Sequence, residues 1–221
     1  MAHLLVIFDC DGVLVDSEPI AARASAQALT RMGWPVSPEE VLERFLGCTD
    51  EYFEAEVTAH LGTWSADDWR QQVDPVFDEM LEHELQPVDG VVDLLDELAE
   101  RRVETCVASN GGHSKMRRTL GLTGLASRFE GRVFSADDVP RGKPHPDLFL
   151  HAAAQMGASP VHCVVVEDSP RGVEAACAAG MRCIGYAGRT PAAVLQRCGV
   201  EVVDSMDAVA EYIRLLRRES G

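Results

Sequence analysis

Two aspartates, Asp9 and Asp11, leave the apolar run Leu4 to Phe8 with Cys10 between them and Gly12 behind them. Two acids so placed repel each other unless a cation sits between them, and cation-linked carboxylates are the usual means of working on a charged ester. Three further polar groups follow apolar runs or lie between them: Ser109-Asn110-Gly111-Gly112, Gly142-Lys143-Pro144 and Glu167-Asp168-Ser169-Pro170. Each has a plain structural reading as well. Ser109 with two glycines makes a turn, Lys143 suits a solvated loop, and Ser169-Pro170 opens a helix as N-cap and first-turn proline. What sets them apart is that each would emerge at the carboxyl edge of a parallel sheet, where ligands bind in open α/β folds.

The elements that would position them can be read from periodicity. Leu4–Phe8, Val103–Ala108, Arg132–Phe134, His162–Val166, Arg182–Tyr186 and Glu201–Val203 read as short strands. Between them run helical spacings such as Val91, Leu94, Leu95, Leu98 and Met206, Val209, Ile213, Leu216. This alternation predicts right-handed crossovers and a doubly wound parallel sheet, with the uniformly apolar first strand in its centre. Residues 17–86 are too many for one crossover. They carry helical stripes (Phe53, Val57, Leu61; Val73, Val76, Phe77, Met80, Leu81) and all three tryptophans. The expected organisation is a Rossmann-like core, 1–16 and 87–221, with an all-helical cap, 17–86, inserted after the first strand.

The formal net charge of −16 comes from 36 acids against 20 bases, of which only Lys115 and Lys143 are lysines. Such a surface repels nucleic acid and anionic lipid, so no nucleic-acid or membrane partner is expected, and an anionic substrate must find positive potential built into its site. Seven cysteines without a Cys-x-x-Cys pair suit reduced, buried thiols, Cys10 among them, rather than disulfides or zinc. With no signal peptide or apolar span of about 20 residues, a cytoplasmic protein is expected. His113 and His145 flank the motifs and read as loop histidines.

Phe8 to Glu18, FDCDGVLVDSE, followed in order by Ser109-Asn110, Lys143-Pro144 and Glu167-Asp168, resembles the haloacid dehalogenase-like phosphatases, in the branch of β-phosphoglucomutase and sugar-phosphate phosphatases. The resemblance covers essentially the whole chain. It implies a cap closing over the site and magnesium bound by the Asp9 carboxylate, the Asp11 main-chain carbonyl and the Asp168 carboxylate, with Glu167 as a further ligand or as support. It also implies roles. Asp9 attacks phosphorus and forms an aspartyl phosphate, and Asp11 serves as general acid and then base. Ser109, with main-chain amides near Asn110, binds phosphoryl oxygens, and Lys143 balances charge on Asp9. Arg44, Gly47, Thr49 and Asp50, in or beside the cap loop, are the candidates for recognising the rest of the substrate.

Relatives that cleave halides lack an acid at the Asp11 position, and phosphonate-cleaving relatives use a cap lysine, which residues 17–85 do not contain. A phosphomutase differs only in acceptor. It carries a histidine where Ala21 aligns, and a lysine and an arginine where Leu46 and Asp50 align. A phospho-accepting signalling domain has neither a cap nor an acid two residues after the nucleophile. The expectation is a magnesium-dependent phosphatase for a small phosphorylated metabolite, a sugar or polyol monophosphate.

Overall fold

The structure, a computed structural model, describes residues 4–45, 50–62, 64, 66–196 and 198–219. The elements in chain order begin with β1 (Leu5–Phe8), α1 (Glu18–Met32), α2 (Pro38–Phe45), α3 (Asp50–Leu61) and α4 (Ala66–Glu84). After them come α5 (Val91–Glu100), β2 (Glu104–Ser109), α6 (His113–Leu122), β3 (Val133–Ser135), α7 (Asp147–Gln155) and β4 (Cys163–Glu167). The chain finishes with α8 (Pro170–Ala178), β5 (Arg182–Tyr186), α9 (Ala192–Gln196), β6 (Glu201–Val203) and α10 (Met206–Glu219). Two compact units result, one of residues 1–15 with 87–221 and one of Asp16–Gln86.

The first unit holds a six-stranded sheet in the order β3-β2-β1-β4-β5-β6, parallel throughout. The uniformly apolar first run is indeed central. All four β1 side chains are fully buried, as a strand covered by helices on both faces requires. Each of these side chains contributes about 1.5–3 kcal/mol by leaving water. The strands are displaced from the sequence reading by no more than a residue or so at their ends. Register then fixes where they stop. Phe8 stands level with Val107 of β2 and Val166 of β4, and the Asp9 N–H continues the ladder to the Val166 carbonyl at 3.0 Å. From β1 the chain winds outward through β2 and β3, then returns to the other side of β1 for β4, β5 and β6. The gap between β1 and β4 is therefore the point where winding reverses, the place in such sheets where a crevice opens at the strand ends.

The second unit is helical. Its core gathers Ala22, Ala26, Leu29, Trp34, Val41 and Val57, with Phe45, Phe53, Trp64 and Trp69 packed around them. Its aromatic rings pack both edge to face and face to face: Phe45 and Phe53 lie 4.9 Å apart in a T-shaped pair, and His60 stacks on Trp34 at 3.7 Å. Helix α4 runs through Pro75, which costs it one main-chain donor. Among the described residues no helix is long and apolar enough to cross a membrane.

Candidate active site

Asp9 follows β1 directly, and its backbone is still held by β4. The turn behind it is tied back on itself: Leu14 and Val15 N–H groups donate to the Cys10 carbonyl, and Gly12 N–H donates to Val15. Gly12 has φ +77, and a Cβ there would lie 2.0 Å from Asp168 Oδ2. Only glycine lets this turn approach the end of β4 so closely. The result is a cluster in which Asp9, Glu167 and Asp168 offer carboxylate oxygens all within 4.8 Å of one another.

Lys143 enters this cluster from the loop before α7. Its Nζ donates to Asp9 Oδ1 at 2.5 Å and to Glu167 Oε1 at 2.6 Å, and lies 4.8 Å from the centre of the Phe149 ring. The side chain is only 4% exposed, so Lys143 is no solvated loop lysine. Burial by itself would lower its pKa, but Asp9 and Glu167 outweigh burial and hold the ammonium above its ordinary range. Asp9 feels the converse. Desolvation lifts its pKa, Lys143 opposes the rise, Glu167 adds to it, and the carboxyl is raised to about 6.

The loop that delivers Lys143 is held by residues whose side chains point at its backbone. Asn110 accepts from Lys143 N–H at 2.8 Å and donates to the Lys143 carbonyl at 3.2 Å, and Arg171 donates to that carbonyl at 3.1 Å. The Asn110 amide is thus occupied in locating Lys143. Glu167 is fully buried and its oxygens are taken on both sides: Oε1 by Lys143, Oε2 by the N–H and O–H of Ser169, each at 2.9 Å. Ser169 also caps α8, accepting from Gly172 N–H at 3.0 Å. A Cβ at Gly172 would stand 1.7 Å from Glu167 Oε1, so the first turn of α8 must carry glycine there.

Ser109 ends β2, beside β1, and is buried. Its Oγ accepts from Gly111 N–H at 3.2 Å, which leaves its own proton to donate. Ser135 at the end of β3 donates to the Gly111 carbonyl at 2.8 Å and steadies the turn. Asp11 Oδ2 accepts from Lys115 Nζ at 2.7 Å. Burial lowers the Lys115 pKa, but Asp11 outweighs it and the ammonium is held up. Cys10 is a buried thiol beside Thr119, its pKa raised by desolvation. His113 Nε2 shares a hydrogen bond with Asp138 at 2.8 Å.

The structure thus brings Asp9, Lys143, Glu167 and Asp168 together, with Ser109 on the adjacent strand end and Asp11 two residues from Asp9. Arg44 belongs to the helical unit, where its guanidinium lies 5.8 Å over the Trp34 ring. Gly47 and Thr49 lie outside the described residues, as does the side chain of Asp50, whose backbone opens α3. Lys115, Arg171 and Gly172 were not singled out by their chemistry in the sequence. The scarcity of lysine was a usable sign for Lys115, whereas nothing local marks Arg171 or Gly172. Four carboxylates (Asp9, Asp11, Glu167, Asp168) against two ammonium groups leave two negative charges, which a divalent cation would balance. The donors toward it are all oxygens, the set a hard cation takes.

Residues 6–186 match the family described as haloacid dehalogenase-like hydrolase. The chain is 35% identical over 181 residues to the 6-phosphogluconate phosphatase of Escherichia coli, covering 80% of this chain and 79% of that one. It is 30% identical over 184 residues to hexitol phosphatase B of the same organism, covering 82% of each. A crystal structure of a haloacid dehalogenase-like protein of unknown function from Agrobacterium tumefaciens superposes with a TM-score of 0.85 at 39% identity, over 96% of this chain and 98% of that one.

Two measurements test this geometry. Gly172→Ala should lose about 2 kcal/mol or more and lower the thermal midpoint by roughly 5 °C. Gly121→Ala, on α6 with nothing within 4 Å of its Cβ, should be neutral or stabilising. Equal midpoints would contradict the Glu167 packing. The raised Asp9 pKa gives the second. The metal-free fold binds this proton more tightly than the unfolded chain, so the Asp9 contribution to stability falls as pH rises from 3.8 to about 6. A cation at Asp9 must displace the same proton, so its affinity should weaken about tenfold per pH unit below about pH 6 and level off above it. Calorimetric magnesium titrations across that range would show it, and a flat profile would count against a buried, raised Asp9.

Proposed function

The chain belongs to the haloacid dehalogenase-like hydrolase family, and from that premise we propose that it is a magnesium-dependent phosphatase acting on a sugar or polyol monophosphate through an aspartyl phosphate on Asp9. The observation that carries this reading is the clamp at the end of β1, where a buried ammonium holds a carboxylate that shares a 4.8 Å cluster with two other acids. Bound at Asp9, Asp168 and the Asp11 carbonyl, magnesium would neutralise the ester's charge and that of the cluster. Glu167, with both oxygens committed to Lys143 and Ser169, acts as support for that set.

The residues of the chain do the rest. Lys143 keeps Asp9 fixed and shields its charge from the phosphate dianion. Ser109 donates its proton to a phosphoryl oxygen, joined by main-chain N–H groups of the turn that follows. Asp9 attacks phosphorus as the ester P–O bond breaks, and the departing oxygen takes the proton of Asp11. Water then attacks the aspartyl phosphate, returns a proton to Asp11 and releases phosphate with Asp9 restored. An acid two residues after the nucleophile serves both halves of that cycle.

The substrate class draws on two supports. Two of the relatives named above are a 6-phosphogluconate phosphatase and a hexitol phosphatase. The helical unit carries no lysine, and four arginines in residues 17–86, so it offers little to hold a second phosphate. The free thiols suit a reducing compartment, and we place the protein in the cytoplasm.

A panel of phosphorylated sugars, sugar acids and polyols assayed with magnesium tests the reading. A monophosphate should exceed its bisphosphate in kcat/KM by tenfold or more. Asp9→Asn should lose on the order of a thousandfold or more in kcat, with the fold intact, and EDTA should stop turnover until magnesium returns. An Asp9→Asn variant that kept a tenth of the activity would refute the covalent mechanism. A bisphosphate favoured tenfold would refute the substrate class.

A further inference from the structure

Lys115 has no part in the mechanism above, yet it is one of only two lysines in the chain, and both converge on the same strand ends. It occupies the third position of α6, directly after the turn that carries Ser109. Its stem lies along that turn: a Cβ at Gly111 would meet Lys115 Cδ and Ser109 Oγ each at 3.6 Å. From there Nζ reaches Asp11 Oδ2 at 2.7 Å, with Asp11 21% exposed and the lysine 45%. One short turn therefore places both the phosphoryl donor Ser109 and the cation that grips Asp11.

The two halves of Asp11 are held by different means. Its main chain is set by the turn of residues 10–15, whose N–H groups bond back to Cys10 and Val15. A partly accessible carboxylate has several staggered positions to occupy. The Lys115 contact favours one of these positions. We propose that Lys115 is a positioning residue for proton transfer, holding the Asp11 carboxyl where it meets the departing ester oxygen. The inference rests on the acid–base reading of Asp11 made above.

The chemistry asks for no more than this. As the Asp9 oxygen bonds to phosphorus, the electron pair of the breaking P–O bond goes to the ester oxygen, which takes the Asp11 proton and leaves as an alcohol. The ion pair engages Oδ2, and proton transfer needs a single carboxylate oxygen. A displacement of about 1 Å at such a group costs on the order of a hundredfold in rate.

The test exploits leaving groups. A polyol phosphate must have its leaving oxygen protonated, whereas p-nitrophenyl phosphate expels a stable anion. Lys115→Met should lower kcat on the polyol phosphate roughly tenfold to a hundredfold with KM within about twofold. The pre-steady-state burst of p-nitrophenolate should keep its wild-type rate, and Lys115→Arg should restore most of the lost kcat. A raised KM with unchanged kcat would assign Lys115 to substrate binding and overturn the proposal. An equal loss on both substrates with a lowered thermal midpoint would make the residue structural and overturn it too. Asp11→Asn, run alongside, separates the two levels. If it spares polyol phosphate turnover, the acid–base reading falls and this inference with it. If it shows the leaving-group selectivity and Lys115→Met does not, only the inference falls.

Discussion

The ammonium of Lys143, lodged between Asp9 and Glu167, is the contact around which the rest of the site is arranged. A lysine this buried stays charged only because two carboxylates face it, and those carboxylates tolerate each other only because it stands between them. Removing one member of a buried pair typically costs about 3–5 kcal/mol, since the survivor is left charged in a poor solvent. That mutual dependence explains how much of the surroundings is devoted to placing one side chain. Asn110 and Arg171 hold the Lys143 backbone, Phe149 lies under its ammonium, and Ser169 takes the far side of Glu167. The sheet contributes the other half of the arrangement, because register alone brings Asp9 and Glu167 to the same level at the winding reversal.

A second consequence follows for charge. The chain as a whole is strongly acidic, with a formal net charge of −16, and an anionic ester approaching it meets repulsion. The local excess at the strand ends is much smaller, because both lysines of the chain are placed there. They are not equivalent. Lys143 is buried and pairs with Asp9, whereas Lys115 is half-exposed and pairs with Asp11. Two carboxylates of like chemistry, two residues apart, are thereby given different partners and different solvent, and this is how similar side chains acquire separate roles. Asp9 is pushed up by burial, to about 6, and a bound cation would draw it back into the ionised form.

What the amino-acid sequence determined by itself was the scaffold and the chemistry it could host. Alternating short apolar runs and helical stripes dictated the parallel sheet, and the uniformly apolar Leu5–Phe8 dictated its centre, because periodicity and burial are local properties of a chain. Asp9, Asp11, Ser109, Glu167 and Asp168 stand out because each follows such a run, Lys143 because it is one of two lysines in a loop between runs, and strand ends in this topology share one edge. The tertiary structure decided what depends on direction and distance. The Asn110 side chain holds the Lys143 backbone, a job no sequence pattern announces, and Glu167, which reads either as a further cation ligand or as support, sets Oε1 on Lys143 and Oε2 on Ser169. Arg44 reads as a candidate for recognising the rest of the substrate, and the fold sets its guanidinium over Trp34. Gly172 was silent because its reason is a carboxylate arriving from the preceding strand, which no local pattern encodes. The pairing of Lys115 with Asp11 spans 104 residues, and contacts of that kind exist only once the sheet has brought β1 and β2 side by side.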